Sequence, residues 1–521
     1  MKGNMIMRLK SVKEMTLKEK LGQLILPGFH STYYDEQIKT LIEDYHVGNV
    51  ILFTRNFEDA KQVRELTKKI HEEVYNHTGH IPFIAIDQEG GLVTRMMKDV
   101  TFAPGPMTAS ASIDDATYYT GKMLAEDMIR LGMNFNLAPS LDVNNNPNNP
   151  VINVRSYSDD PKVVAKLGKR FIEGSSEFGV LACAKHFPGH GDCEVDSHLG
   201  LPTINYDLDR IHKIEMYPFK ENINVPAIMS AHIMFPAYDT VPATLSRKIL
   251  TNVLREELGF NGLILTDCLE MKAIADMYGT AKGACMAVLA GADICDISHT
   301  LEYQIKALEL LEEAVNDGRL SIEELDSKVE RILKFKEQTL PYLEKYFYNQ
   351  EMQFSEENNK LAQQIVDNSL TLIKGDNAIL TNKTLVIAPV AIARTIIEDE
   401  FDDRNLAKVL KKEFPNLDVR ELINSDDFKN DVLENINKFD NIIIFSYNAA
   451  VSPKQVEFIN AVLEQKEQTT IISLKGPMDF NKYNNLHNYL CLYEYTPNSI
   501  RTVVKYFKNM LSPKGKLTIK L

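Results

Sequence analysis

VLACAKHFPGHGD, residues 180–192, sets a short apolar run directly against a cluster of polar and turn-forming residues. Five apolar residues at 180–184, followed by Pro188, Gly189 and Gly191, read as a buried strand rather than a helix. The polar cluster then sits at the C-terminal end of that strand, where the prolines and glycines turn the chain. Asp196-Ser197-His198 follows at once, so a lysine, several imidazoles and several carboxylates crowd one loop. Such a loop reads as part of an active site.

Working outward, similar apolar runs recur at 24–29, 47–53, 82–87, 135–143, 227–233, 262–267 and 290–297, which makes eight with 180–184. Amphipathic stretches such as 59–75 and 161–178 lie between them. Alternation of this kind implies parallel strands covered by helices, and eight repeats imply closure into a (β/α)8 barrel. Polar residues fall at or just after the strand ends, where a barrel builds its site: Arg55, Asp87, Asp142, Lys185, His186, His232 and Asp267. Ser321 and Glu324 then form a capping-box signature for a helix that closes the barrel. The expected organisation is a barrel over 1–335, a polar and aromatic linker over 336–359, and a smaller α/β sandwich domain over 360–521. In that last part the runs 370–374, 384–390, 441–445, 469–474 and 489–493 alternate with helical segments. No Gly-rich phosphate loop accompanies them, so no nucleotide site is expected there. The Asn-Pro tract 144–150 reads as a rigid loop.

Composition narrows the function. The 521 residues are 44% apolar, enough for sizeable cores, and a net charge of −14 argues against nucleic acid or an anionic membrane as partner. No signal-peptide core or long apolar span is present in the sequence, which points to a cytoplasmic protein unless a leader has been removed. Six cysteines without metal-type spacing are expected to be free thiols in a reducing compartment. The oligomeric state is not legible.

Asp196 and His198 lie two apart and share a face in an extended segment, so the carboxylate can fix the imidazole's tautomer and raise its basicity. Asp267 ends a very apolar run, and a carboxylate emerging from a buried strand reads either as a helix cap or as a nucleophile. With a separate acid/base group, it is the apparatus of glycosyl transfer with retention. Asp87 opens Asp87-Gln88-Glu89-Gly90-Gly91, with Arg95 shortly after, and a carboxylate on such a turn can accept sugar hydroxyls. Lys185 and His186 suit hydroxyl recognition; Arg155 reads equally as a binding residue or a surface ion pair. A competing reading takes His186, His190, Asp192, Asp196 and His198 as metal ligands, though their spacing matches no known ligand motif. No metal or cofactor is expected.

Together these motifs resemble glycoside hydrolase family 3, and within it the bacterial β-N-acetylglucosaminidases that act on cell-wall fragments. The resemblance rests on Ile86–Gly91, the KHFPGHGD loop with Asp196-Ser197-His198, Ser230-Ala231-His232-Ile233, and Thr266-Asp267-Cys268-Leu269-Glu270-Met271. It implies Asp267 as nucleophile, His198 as acid/base and Asp196 as its orienting partner. Asp87, Arg95, Arg155, Lys185 and His186 would hold the hydroxyls of the non-reducing sugar. The implied activity is a retaining exo-hydrolase releasing terminal N-acetylglucosamine from short GlcNAc-MurNAc fragments, with a small carbohydrate as partner. The absence of tryptophan agrees with short substrates rather than a long polysaccharide groove. Departures are Cys193 where threonine is frequent, Leu92 where arginine is common and expected to alter the pocket rim, and Cys268 after the nucleophile. Two alternatives stay open. A neutral imidazole would admit phosphate in place of water, making a phosphorylase, and a silent scaffold would only bind sugar.

Overall fold

A computed structural model describes residues 8–193, 200–348, 350–352, 354–389, 405–449 and 452–521. Eight short strands form the first unit: β1 (Ile25–Pro27), β2 (Asn49–Leu52), β3 (Phe83–Ile86), β4 (Phe135–Asn136), β5 (Leu181–Phe187), β6 (Ala227–Ser230), β7 (Leu263–Thr266) and β8 (Cys295–Ile297). Strands β2 to β7 pair in sequence order and in parallel, and β8 pairs with β1. Two junctions complete the ring. Ile294 bridges Leu265 between β7 and β8, while Asn49 donates to the carbonyls of Gln23 and Ile25 between β2 and β1. The barrel read from the eight runs is therefore present, one strand to each run.

These strands are buried along their whole length, as parallel strands sheathed by helices must be. The longest early covering helix, Ala60–Thr78, buries Val63, Leu66, Thr67, Ile70 and Val74, the helical spacing of a single apolar face. Asp59 caps its start by accepting from Gln62 N, and Gly79 ends it at a positive φ of 70°. Helix Ile322–Leu343, capped by Ser321 as its sequence implied, closes the bottom of the barrel. There the buried Lys336 donates to Gln23 Oε1 and Gly48 O, both at 2.6 Å, and burial pushes its proton affinity well down. The stretch 336–359, expected as a linker, is helical through Tyr348, the last turn as a π-helix over Glu344–Tyr348, and again from Glu356. Among the described residues no helix is long and apolar enough to cross a membrane.

The second unit is a six-stranded sheet of β9 (Thr371–Lys374), β10 (Thr384–Ala388), β11 (Asp418–Glu421), β12 (Asn441–Ser446), β13 (Thr469–Ser473) and β14 (Asn488–Cys491). Its order is β9-β14-β13-β12-β10-β11, parallel except for the edge strand β9. Alternate residues face opposite cores. Leu385, Ile387, Ile442, Ile444 and Ile471 point one way; Val386, Ala388, Ile443, Phe445 and Ile472 point the other. Helices cover both faces, giving the sandwich. Strand β11 was not anticipated: Asp418-Val-Arg-Glu421 buries only Val419 and pairs at the sheet edge, so it lacks an apolar run.

Candidate active site

A cavity of about 530 Å³ opens at the C-terminal end of the barrel strands. Asp87, Arg95, Arg155, Lys185, His186 and Asp267 all line it, drawn from β3, β5, β7 and the loops that follow β3 and β4. Asp196 and His198 lie outside the described residues. Lys185 and His186 are inside β5 rather than in a loop after it, which corrects the strand end placed at residue 184. The β5–β6 register shifts between Ala184 and Phe187, so the two neighbouring side chains both reach the cavity.

Lys185 anchors one wall. Its Nζ lies 2.6 Å from Asp87 Oδ1 and 2.8 Å from Glu89 Oε1, while Arg155 grips Glu89 with Nη2–Oε1 at 2.7 Å and Nε–Oε2 at 2.9 Å. Burial alone would raise the proton affinity of Glu89, but the charges of Arg155 and then Lys185 outweigh it and hold the carboxyl well below its usual range. Burial likewise opposes the charge on Lys185, and Asp87 with Glu89 more than restores it. Arg155 is thus neither a surface ion pair nor free: it is 7% exposed and bidentate on Glu89. Arg95 N donates to Gln88 Oε1 at 2.8 Å, which fixes the turn carrying Asp87.

Across the cavity Asp267 is anchored by its own turn, Oδ1 accepting from Cys268 N at 2.8 Å, and Oδ2 stands 4.0 Å from His186 Nε2. His186 is itself oriented from behind, its Nδ1 2.7 Å from Asp142 Oδ2. Asp142 also accepts from the backbone N of His186 and of His190, and burial is outweighed by His186, so its proton affinity is lowered. His232 does not reach the cavity wall; it spans Thr244 Oγ1 and the carbonyl of Cys268, holding the peptide beside Asp267. Two of the alternative metal ligands have side-chain partners in the protein. His186 Nδ1 is held by Asp142 and Asp192 pairs with Arg210 at 3.3 Å, whereas His190 meets Asp142 through its backbone N, and Asp196 and His198 lie outside the described residues.

Two residues with parts in the site were not singled out from sequence. Glu89 was quoted only as part of a motif, yet it is the hub of the Lys185–Arg155 wall. Asp296 lies in the eighth apolar run, and it is 3% exposed while lining the cavity. Its detectable signal is parity. Asp293, just ahead of β8, and Asp296, within it, stand an odd three residues apart, which suits opposite sides; Asp293 binds Arg255 and Arg331 outside the barrel, and Asp296 lines the cavity inside. The 144–150 tract serves as a brace, since Asn149 Nδ2 donates to the carbonyls of His190 and Gly191 at 2.9 and 2.8 Å.

The second unit supports this wall without lining it among the described residues. Val154, adjacent to Arg155, packs into the core of the second sheet together with Leu92, Met107 and Ala111. Leu92 is therefore an interdomain anchor, 4% exposed, and not the rim residue expected from its departure from the family pattern. Glu494, following β14, accepts from Gly105 N at 2.9 Å and Thr108 Oγ1 at 2.6 Å, pinning the loop that packs on Gly90 and Gly91.

Comparison with known proteins agrees with this architecture. The family described as "Glycosyl hydrolase family 3 N terminal domain" matches residues 16–335. A beta-hexosaminidase A of Pseudoalteromonas piscicida is 38% identical over 331 residues, a match spanning 58% of this chain and 55% of that protein, so the chain covers little more than half of it. A beta-hexosaminidase of Alkalilimnicola ehrlichii is 34% identical over 53% of this chain and 80% of its own length. Among solved structures, a glycoside hydrolase family 3 β-N-acetylglucosaminidase from Paenibacillus sp. superposes with a TM-score of 0.91 at 34% identity, covering 97% of this chain and 99% of that one.

Proposed function

Because the chain belongs to glycosyl hydrolase family 3, we propose that it is a retaining exo-β-N-acetylglucosaminidase that removes terminal N-acetylglucosamine from short cell-wall fragments. The observation that carries this reading is that Asp267 and the Asp87–Lys185–Glu89–Arg155 wall line one cavity of about 530 Å³. A single terminal sugar fits that space: its hydroxyls meet the Asp87 carboxyl group and the Lys185 Nζ, and its anomeric carbon faces Asp267. The names of the hexosaminidase and β-N-acetylglucosaminidase relatives support the choice of sugar.

In this mechanism Asp267 attacks the anomeric carbon while protonated His198, oriented by Asp196, gives its proton to the leaving oxygen. Neutral His198 then takes a proton from water, which displaces Asp267 and releases the sugar with its β configuration. The roles of Asp196 and His198 come from the sequence resemblance. His186, held by Asp142, keeps an imidazole near Asp267 and its developing ester. Proton NMR of a β-N-acetylglucosaminide reaction, with and without phosphate, tests the proposal. Initial β-N-acetylglucosamine under both conditions is expected; an α product defeats retention, and a sugar 1-phosphate makes the enzyme a phosphorylase. Asp267→Ala should lower kcat by about 10³-fold or more with the fold intact, and near-native turnover by that variant would remove Asp267 from its role.

A further inference from the structure

The carboxyl groups of this cavity do not have equal partners. Glu89 faces two cations, Asp87 faces Lys185, Asp142, behind the wall, faces His186, Glu270 accepts from the amides of His299 and Thr300 and the Thr300 hydroxyl, and Asp267 accepts from the Cys268 amide with His186 nearby. Asp296 has a hydroxyl: Ser298 Oγ donates to its Oδ1 at 2.6 Å, and among the described residues no cation lies within ion-pair distance. Arg55, which also lines the cavity, spends its Nε and Nη2 on the carbonyls of Phe29 and Ser298. Burial, with the charges of Asp267, Asp87 and Glu270 added to it, raises the proton affinity of Asp296 well above the carboxylate range. With a hydroxyl as its side-chain partner and carboxyl groups around it, Asp296 is set to favour the protonated form, a hydrogen-bond donor beside the nucleophile.

Its position is fixed as firmly as that of Asp267. Asp296 N donates to Thr266 Oγ1 at 3.0 Å and Asp296 O accepts from Leu269 N at 3.0 Å, so β8 is stitched to both flanks of the Asp267 turn. The hydroxyl-binding wall comes from β3, the β4 loop and β5, and Asp296 stands on the other flank of β7. A sugar whose anomeric carbon faces Asp267 and whose distal hydroxyls face Lys185 must place one neighbour of the anomeric carbon on that flank. The ring oxygen is a poor acceptor and needs no built partner. The substituent at carbon 2 does need one, and an amide carbonyl there would be repelled by a carboxylate and welcomed by an acid proton. With Oδ1 accepting from Ser298, Oδ2 is the oxygen left to carry the proton of the acid form.

Resting on the N-acetylglucosaminidase reading above, we propose that Asp296 donates a hydrogen bond to the acyl carbonyl of the sugar's 2-acylamino group. It is then the residue by which this site separates 2-acylamino sugars from 2-hydroxy sugars.

The test measures kcat/KM for 4-nitrophenyl β-N-acetylglucosaminide and 4-nitrophenyl β-glucoside with wild type, Asp296→Asn and Asp296→Ala. An asparagine keeps a neutral donor and an alanine does not. The expected result is a preference for the N-acetyl substrate that falls about tenfold or more in Asp296→Ala and stays within about threefold of wild type in Asp296→Asn. The glucoside arm reports damage to machinery common to both substrates, so an equal fall in both arms would make Asp296 merely structural. A fall in Asp296→Asn equal to that in Asp296→Ala would mean that an ionised carboxylate is required, and would overturn the proposal. A wild type lacking the preference would sink the 2-acylamino reading itself, and this one with it. A preference that Asp296→Ala leaves unchanged would sink this proposal alone.

Discussion

At the scale of single residues the site is an arrangement of buried charge, and its cost is met by pairing. Glu89 is 1% exposed and would be untenable as an anion without Arg155 and Lys185. Removing the carboxylate leaves two buried cations with one partner fewer, so Glu89→Gln should destabilise the protein at neutral pH by about 3 kcal/mol and raise KM. The pH dependence has a definite sign. The folded proton affinity of Glu89 is depressed below the ordinary value of 4.5, so its stabilisation is complete above that pH and is lost as pH falls below it. Urea midpoints should show wild type losing its advantage over Glu89→Gln from about pH 4.5 downward; a constant difference across that window would contradict the ion-pair account. Residue chemistry of this kind was partly legible. Asp87, Lys185, His186 and Asp267 announce themselves as polar side chains at the ends of apolar runs, whereas Glu89 depends on partners brought from distant parts of the chain and Asp296 is hidden inside an apolar run. Strand parity alone could have marked Asp296 as inward-facing; nothing local could have told that Arg155 would meet Glu89.

At the scale of elements, apolar runs locate all eight barrel strands because parallel strands in a sheathed barrel must be buried on both faces. The same logic misplaces the end of β5, since Lys185 and His186 are polar yet remain in the ladder, facing a cavity rather than solvent. It also passes over β11, whose alternate residues are exposed at a sheet edge. Helices carry their own buried polar groups. Asp127, on helix Ala116–Arg130, accepts from Thr101 N at 2.6 Å and so ties the chain leading to Gly105 against the barrel's outer layer. Burial pushes its carboxyl up to about 6, from an ordinary 3.8. A folded value above the unfolded one means that this group's contribution is present below about pH 4 and is lost as pH rises to about 6. At tenfold in affinity per about 1.4 kcal/mol, the loss is about 2 to 3 kcal/mol. Asp127→Asn should therefore be more stable than wild type at pH 7.5 by up to about that amount, with the gain gone by about pH 4. Thermal unfolding of both proteins at the two pH values measures it, and a variant less stable at pH 7.5 would show that the charged form is needed.

At the scale of the whole molecule, the second domain acts on the site through the backbone it holds. Val154 and Leu92 are buried in the sandwich core, one residue from Arg155 and a few from Asp87, so the binding wall hangs from both domains. Glu494 reaches from the second domain to Gly105, whose backbone lies against Gly91. Gly91 adopts a positive φ of 61°, and a Cβ there would come within 2.6 Å of Gly105 Cα, so the turn after Asp87 depends on this close approach. If the domains were joined only by a tether, an interface cavity would lower stability and leave substrate affinity unchanged. If the second domain sets the geometry of the wall, the same cavity should affect both. Leu92→Ala removes buried side-chain volume from the interface without touching a group that lines the pocket, at a cost of about 2 to 5 kcal/mol. The expected result is a several-degree fall in Tm together with a rise in KM of about threefold or more, kcat being less affected because Asp267 follows β7 and not the loops that Leu92 and Val154 anchor. Calorimetry and steady-state kinetics on the one variant decide the matter. A lowered Tm with an unchanged KM would mean that the barrel holds its own wall, and that the sandwich contributes stability alone.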